Sequence, residues 1–154
     1  MAQAAASFPA EAVTVRPAEP ADAPVVARLL TVLGYPCDAR EAAVRIQAVR
    51  SDPRQQLLLA CVGGAGCGLL GLDTLYYVPL GAPTCRITAL AVLPEAQRCG
   101  VGRRLVREAE RRARQAGASR LELTSAAHRA EAHAFYRALG FGEGALRFVK
   151  ALGA

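Results

Sequence analysis

Apolar residues along this chain recur with two distinct periods. Between positions 22 and 33, Val25, Val26, Leu29, Leu30 and Leu33 stand at helical spacing, and Ala42, Ile46 and Val49 repeat it between 38 and 50. Both stretches predict helices, with Asp22 and Asp38 as their caps and Gly34-Tyr35-Pro36 as the break between them. Strand-sized apolar runs occupy Val13-Thr14-Val15, then about 56–62, 67–78 and 85–93, with Leu121-Glu122-Leu123-Thr124 alternating as another. Gly63-Gly64-Ala65-Gly66 reads as a hairpin turn. The glycines of 67–78 predict a bent strand, and the mostly apolar 85–93 predicts one buried on both faces. A long helix is expected over 101–116, stopped by Gly117, and a shorter one over 129–139, closed by Gly140. Leu146–Lys150 predicts a last strand, with room for one more short strand near Phe141.

The resulting order is β-α-α-β-β-β-α-β-α-β. The strand–helix–strand unit from 85 to 125 makes its two strands parallel with a right-handed crossover, and the short turns before it make the earlier strands antiparallel. The fold class is therefore α/β, a central mixed sheet flanked by helices on both faces. A length of 154 residues and an apolar share of 53% suit a single domain over 11–154. The Ala-rich residues 1–10 are expected to be frayed. The chain lacks an apolar run of membrane-spanning length and a signal-peptide pattern at its start, so a cytoplasmic protein is expected, with no membrane partner. The five cysteines form no C-x-x-C pair and there are only two histidines, so neither a metal nor a disulfide framework is expected. Four of the five cysteines read as core or loop fillers.

Charge changes the picture more than composition does. The net charge is +6, and 18 of the 19 basic residues are arginines, Lys150 being the exception. Such a surface suits nucleic acid, acidic partners or an anionic small molecule. Much of it is local, because Arg103, Arg104, Arg107, Arg111, Arg112 and Arg114 fall in one helix. The i,i+4 pairs Glu108–Arg112 and Glu110–Arg114 make most of that helix a solvated, ion-paired face.

The segment from Pro94 to Arg103 carries the strongest chemical signal. Gly100 and Gly102 stand between a strand and a helix start, where backbone can approach a ligand without a Cβ in the way. The unpaired N–H groups of the helix's first turn favour an anion there. Arg98 and Arg103 add charge-assisted donors, so the turn suits a pyrophosphate. It is neither a P-loop nor a full dinucleotide fingerprint, since Gly-Lys-Ser/Thr is absent and Leu105 stands where a third glycine belongs.

Gln97-Arg98-Cys99-Gly100-Val101-Gly102 resembles the Q/R-x-x-G-x-G/A motif of the GNAT superfamily of acyl-CoA-dependent N-acetyltransferases. The strand Ile87–Pro94 resembles that family's splayed central strand, and Ala132–Phe141 resembles its A-x-x-x-Y-x-x-x-G-F signature. The element order matches over essentially the whole chain. The resemblance implies acetyl-CoA as cosubstrate and direct transfer to a primary amine in a ternary complex, with no metal. It implies that backbone groups of Leu90 and Val92 hold the pantetheine arm. The pyrophosphate would then fall to Arg98, Cys99, Gly100, Val101 and Gly102, with Arg103 just inside the helix. Tyr136 would protonate the departing thiolate. On periodicity alone it is a core tyrosine, sharing a helix face with Ala132, Phe135 and Leu139.

Amine acylation also needs a proton acceptor, and Arg86–Ala91 of the central strand contains no carboxylate, where many family members have glutamate. Glu122, alternating away from Leu121 and Leu123, is the first candidate general base and Asp73 the second. The plain reading of both is a solvent-facing strand carboxylate. His128 and His133 also titrate near neutral pH. Arg129 departs from the asparagine common in the family. The expected partner is a small-molecule or peptide amine, and a homodimer is allowed. The competing class is a non-catalytic acyl-CoA-binding module, or a nucleic-acid binder using the arginine helix.

Overall fold

The computed structural model describes residues 12–124 and 130–153. The expectation of a frayed 1–10 and the positions His128 and Arg129 lie outside the described residues. Five strands form one sheet in the order β1-β2-β3-β4-β5. They are β1 (Val13–Pro17), β2 (Gln55–Val62), β3 (Ala65–Tyr77), β4 (Ala82–Val92) and β5 (Leu121–Leu123). The helices are α1 (Ala23–Leu33), α2 (Ala39–Arg50), α3 (Val101–Gln115) and α4 (Ala130–Ala138). The first four strands are antiparallel to their neighbours, and β5 lies parallel to β4, as the connection lengths require.

Local chemistry sets most boundaries. Asp38 caps α2 by accepting from the Glu41 N–H at 2.8 Å. Asp22 precedes α1 but does not cap it. Its carboxylate is taken by Arg16 at 2.7 and 2.8 Å and by the Glu19 N–H at 2.7 Å, closing the turn Pro20–Asp22. Gly63 and Gly64 both have positive φ, 58° and 81°, which makes the β2–β3 connection a tight two-residue hairpin turn.

Two irregularities in β3 and β4 re-aim the sheet. Between β2 and β3 the register slips at Cys61, leaving Cys67 unopposed. Between β3 and β4 it slips after Gly71, leaving Thr88 as an extra residue on β4. A Cβ on Gly66 would meet Val25 of α1, whereas one on Gly68 would meet Val101 and Leu105 of α3. The sheet is thus covered by α1 and α2 on one face and by α3 on the other. Leu29, Ile46, Leu58, Leu59, Leu69, Leu70, Leu105 and Val106 are fully buried between them. Cys61, Cys67 and Cys85 are small core residues, and all five cysteines are free thiols.

Besides the Asp22 cap, the structure corrects the sequence reading at three further places. β4 is not buried on both faces, because Arg86 and Thr88 are exposed. No strand forms over Leu146–Lys150 or near Phe141. Residues 141–153 run off the sheet, with Leu146, Phe148, Val149 and Leu152 exposed. A strand-sized apolar run makes a strand only where a ladder is on offer, and β5 pairs through just three residues. The arginine face of α3 is not simply solvated either. Glu108 is 8% exposed and is gripped by Arg111 at 2.6 Å, Arg112 at 2.9 Å and Arg104 at 3.6 Å. Arg112 continues to the Gln56 carboxamide, which ties α3 to β2.

Candidate active site

β4 and β5 share only the pairs Cys85↔Leu121, Arg86↔Glu122 and Ile87↔Leu123. From Thr88 onward, β4 has no partner on that side among the described residues. The bulge at Thr88 decides which groups line the open edge. Before it, the Cys85 N–H points toward β5, bonding the Arg120 carbonyl at 3.2 Å. After it, the Leu93 N–H points toward β3, bonding the Cys67 carbonyl at 2.9 Å. Alternation in the antiparallel ladder then turns the backbone groups of Leu90 and Val92 to the open edge. Those groups are what an extended amide-bearing chain needs if it is to pair like an added strand.

The turn after β4 continues this edge. Arg98 has φ 62°, a left-handed conformation rare for a side-chain-bearing residue, and Gly100 follows with φ 83°. Successive turns of this kind aim backbone N–H groups into one concavity. Gly100 is the N-cap of α3 and has no side chain to satisfy the first turn. The N–H groups of Val101, Gly102 and Arg103 precede the first intrahelical bond, Arg104 N–H to Gly100 carbonyl at 3.0 Å. A Cβ on Gly100 would meet nothing within 4 Å, so its role is conformational. Arg98 and Arg103 are exposed at the rim, and Cys99 is half-buried, its thiol lying 3.4 Å from the Gln97 carbonyl. Donors in this arrangement fit a pyrophosphate, with an extended arm along Leu90 and Val92. The Gln97 side chain donates to the Val92 carbonyl at 3.1 Å, leaving the Val92 N–H to face the edge.

α4 closes the same corner. The Phe135 ring lies 3.2 Å from where a Cβ on Gly102 would stand, and that Cβ would also lie 3.9 Å from Val92. Gly102 therefore admits α4 as well as any ligand, a packing role that the glycine pattern alone did not reveal. Tyr136 stacks edge-on with Phe135 at 5.5 Å and with Phe141 at 6.0 Å, so it follows Phe135, the ring that sits over Gly102, on α4. His133 lies on the same helix, half-buried.

The opposite side of the opening is the sheet face toward α1. Asp73, Arg86 and Glu122 lie side by side there, Asp73 opposite Arg86 and Arg86 opposite Glu122. Arg86 holds one Glu122 oxygen with two hydrogen bonds, 2.9 and 2.6 Å, and Arg120 approaches the other at 3.5 Å. Arg120 also stacks over the Tyr77 ring at 4.5 Å. Asp73 differs. Its Oδ1 is sealed from solvent without a hydrogen-bond partner among the described residues, and so is the Thr84 Oγ1, diagonal to it on the same face. Each such atom costs about 1–3 kcal/mol if nothing satisfies it. At the bulge, a Cβ on Gly71 would come within 2.4 Å of the Thr88 hydroxyl oxygen, so only glycine lets that side chain lie across β3. A glycine inside a strand run was the one sequence signal for this feature.

The profile of the Acetyltransferase (GNAT) family matches residues 26–141. An aminoalkylphosphonate N-acetyltransferase of Salmonella typhimurium is 35% identical over 101 residues, which is 66% of either chain. Among solved structures, one described as a transcriptional regulator from Bacillus halodurans C-125 superposes with TM-score 0.83 at 25% identity, covering 91% of this chain and 99% of that one. A GNAT family acetyltransferase from Staphylococcus aureus superposes with TM-score 0.79 at 22% identity, covering 92% of this chain and 99% of that one.

Proposed function

Because this chain belongs to the GNAT family of acetyltransferases, we propose that it transfers an acetyl group from acetyl-CoA to a primary amine, by direct attack in a ternary complex. The open β4 edge beside a left-handed Gly100 cradle carries this reading. Leu90 and Val92 pair with the pantetheine arm. The N–H groups from Arg98 to Arg103 take the pyrophosphate, and the Arg98 and Arg103 side chains add charge. Tyr136 donates its phenolic proton toward the departing thiolate sulfur. A free phenol is a weaker acid than a free thiol, so this transfer depends on Tyr136 being held close to the sulfur. The amine arrives on the α1 side, where Thr88 and Arg86 are exposed, since α3 and Phe135 cover the other face. Glu122 and Asp73 are two carboxylates on that side, among the described residues, able to take its proton. Among the described residues no cluster could hold a metal ion and no helix is long and apolar enough to cross a membrane. Five free thiols support a reducing, cytoplasmic compartment.

The test is an acetyl-CoA consumption assay across amine classes. An aminoalkylphosphonate comes first, because the Salmonella relative is named for that acceptor. Amino acids, aminoglycosides and peptide N-termini follow. Tyr136→Phe should keep the rise in melting temperature that acetyl-CoA produces and lose roughly 10²-fold in turnover. Gly100→Val should abolish the rise, because a β-branched residue cannot hold φ 83° without strain. A wild-type protein whose melting temperature ignores millimolar acetyl-CoA would refute the reading.

A further inference from the structure

We infer that Asp73, rather than Glu122, receives the proton released by the acceptor amine, relayed through a water molecule held beside the Thr88 hydroxyl. This inference rests on the acetyltransferase reading above. Three observations carry it. Glu122 has both oxygens directed to guanidinium groups, Arg86 on one side and Arg120 on the other, so accepting a proton means breaking an ion pair. Asp73 keeps one oxygen without a partner among the described residues, and the Thr84 hydroxyl, itself 1% exposed, is unpartnered on the same face. Natural proteins rarely seal polar atoms in this way unless a water or a ligand serves them.

The third observation is alignment. Asp73 and Gly71 are two residues apart on β3 and face α1, and the Thr88 side chain lies directly over Gly71. Two residues along a strand are roughly 6.7 Å apart at the backbone, so the Thr88 hydroxyl and the Asp73 carboxylate occupy neighbouring positions on one face, and the inferred water joins them there. Thr88 is the bulged residue at the point where β4 leaves β5, so the relay ends where the amine must stand.

The charged groups around Asp73 are few. Arg86 lies opposite on β4 with its guanidinium turned to Glu122, and Gln55 lies opposite on β2 with its amide on Asp52. From the covering helices, Arg28 pairs with Glu95, Arg45 with Glu41, and Arg50 bonds the Ala18 carbonyl. Arg40 is exposed at the start of α2.

The proton balance is closed. The bound ammonium gives one proton to the water, which passes one to Asp73 and from there to solvent. The neutral nitrogen then forms the bond to the acetyl carbon, and the carbon–sulfur bond breaks. Tyr136 gives its proton to the sulfur and is restored by the remaining excess proton of the new amide nitrogen. The products are the N-acetyl amine and the free thiol.

The experiment measures kcat/KM for the best acceptor amine against pH in wild type, Asp73→Asn and Glu122→Gln, beside the melting shift with acetyl-CoA. Asp73→Asn should keep the shift and the KM for acetyl-CoA, and lose roughly 10²-fold in kcat/KM at neutral pH. The loss should shrink toward high pH, where the amine arrives already neutral. Glu122→Gln should retain the wild-type acidic limb. An acidic limb unchanged in Asp73→Asn, or lost instead in Glu122→Gln, overturns the inference. Should Asp73→Asn fail to fold, Thr88→Val removes an exposed hydroxyl from the same relay. A several-fold fall in kcat/KM for the amine at constant KM for acetyl-CoA then supports it, and no fall overturns it. A wild type that binds acetyl-CoA but acetylates no amine refutes the function itself, an outcome visible before any variant is compared.

Discussion

Two carboxylates sit on opposite faces of the same sheet and are treated in opposite ways. Glu108, on the α3 side, is buried and surrounded by Arg104, Arg111 and Arg112. Asp73, on the α1 side, is half-buried and keeps an oxygen with no partner among the described residues. The first arrangement stabilises the fold, because a desolvated charge is tolerable only when opposite charge and hydrogen bonds meet it. The Arg111 guanidinium, with Arg112 behind it, holds the Glu108 carboxyl down to about 2 against the upward push of burial. The second arrangement leaves that oxygen without an opposing charge or hydrogen bond among the described residues. The contrast separates a carboxylate that supports α3 from the one we infer takes the proton.

Glu108→Gln should break the contrast hardest on the stability side. It leaves three guanidinium groups around a neutral amide and should cost about 2 kcal/mol, or roughly 4–8 °C in melting temperature for a chain of this length. Acetyl-CoA binding by the folded fraction should be unchanged. Asp73→Asn should leave the melting temperature within a degree or two of wild type. Equal losses in the two variants would erase the distinction. Acid sharpens the same point. The folded-state pKa of Glu108 lies below its ordinary value of 4.5. Its contribution is therefore complete above about pH 5 and fades as pH falls from about 4.5 toward 2. The stability difference between wild type and Glu108→Gln, read by denaturant melts, should narrow over that interval and be constant above it.

Arg103→Gln should have a smaller effect and a different one. Arg103 lies in the first turn of α3 and is exposed, with no ion pair among the described residues. Its replacement should weaken coenzyme binding about tenfold in a calorimetric titration and leave stability alone. The smallest effect belongs to Arg114→Gln. Arg114 is 77% exposed and reaches Glu110 only at 3.9 Å, so melting temperature and acetyl transfer should both stay at wild-type values within error. A marked loss of activity there would reopen the arginine helix as a binding surface.

Five of the six arginines named from the sequence of α3 thus divide into three kinds. Arg104, Arg111 and Arg112 meet Glu108, Arg103 is exposed in the first turn, and Arg114 is solvated surface. The i,i+4 rule found the Glu108–Arg112 and Glu110–Arg114 pairs and gave them equal weight. Their environments differ, because Glu108 is buried and Glu110 is turned farther toward water, and spacing along one helix carries no measure of depth. Glu122 shows the same limit. Its alternation with Leu121 and Leu123 placed it correctly on the face away from them. Nothing local foretold that Arg86, 36 residues away in sequence, would converge on it beside Arg120.

What the sequence by itself determined is everything that short-range sterics and periodicity dictate. Gly34, Gly117 and Gly140 end their helices with positive φ, Asp38 caps α2, and Gly63-Gly64 turns the hairpin. The glycines of 100 and 102 mark the cradle because few other residues permit that backbone or that closeness. The tertiary structure alone decided the rest. The one-residue slip at Thr88 changed which backbone groups face the open edge, and Gly102 proved to seat Phe135. It left Leu146–Lys150 off the sheet, and it gave Glu108 three partners while leaving an Asp73 oxygen without one among the described residues. Register, depth and charge partners arise where distant segments meet, and the energies that set them are absent from any single stretch of chain.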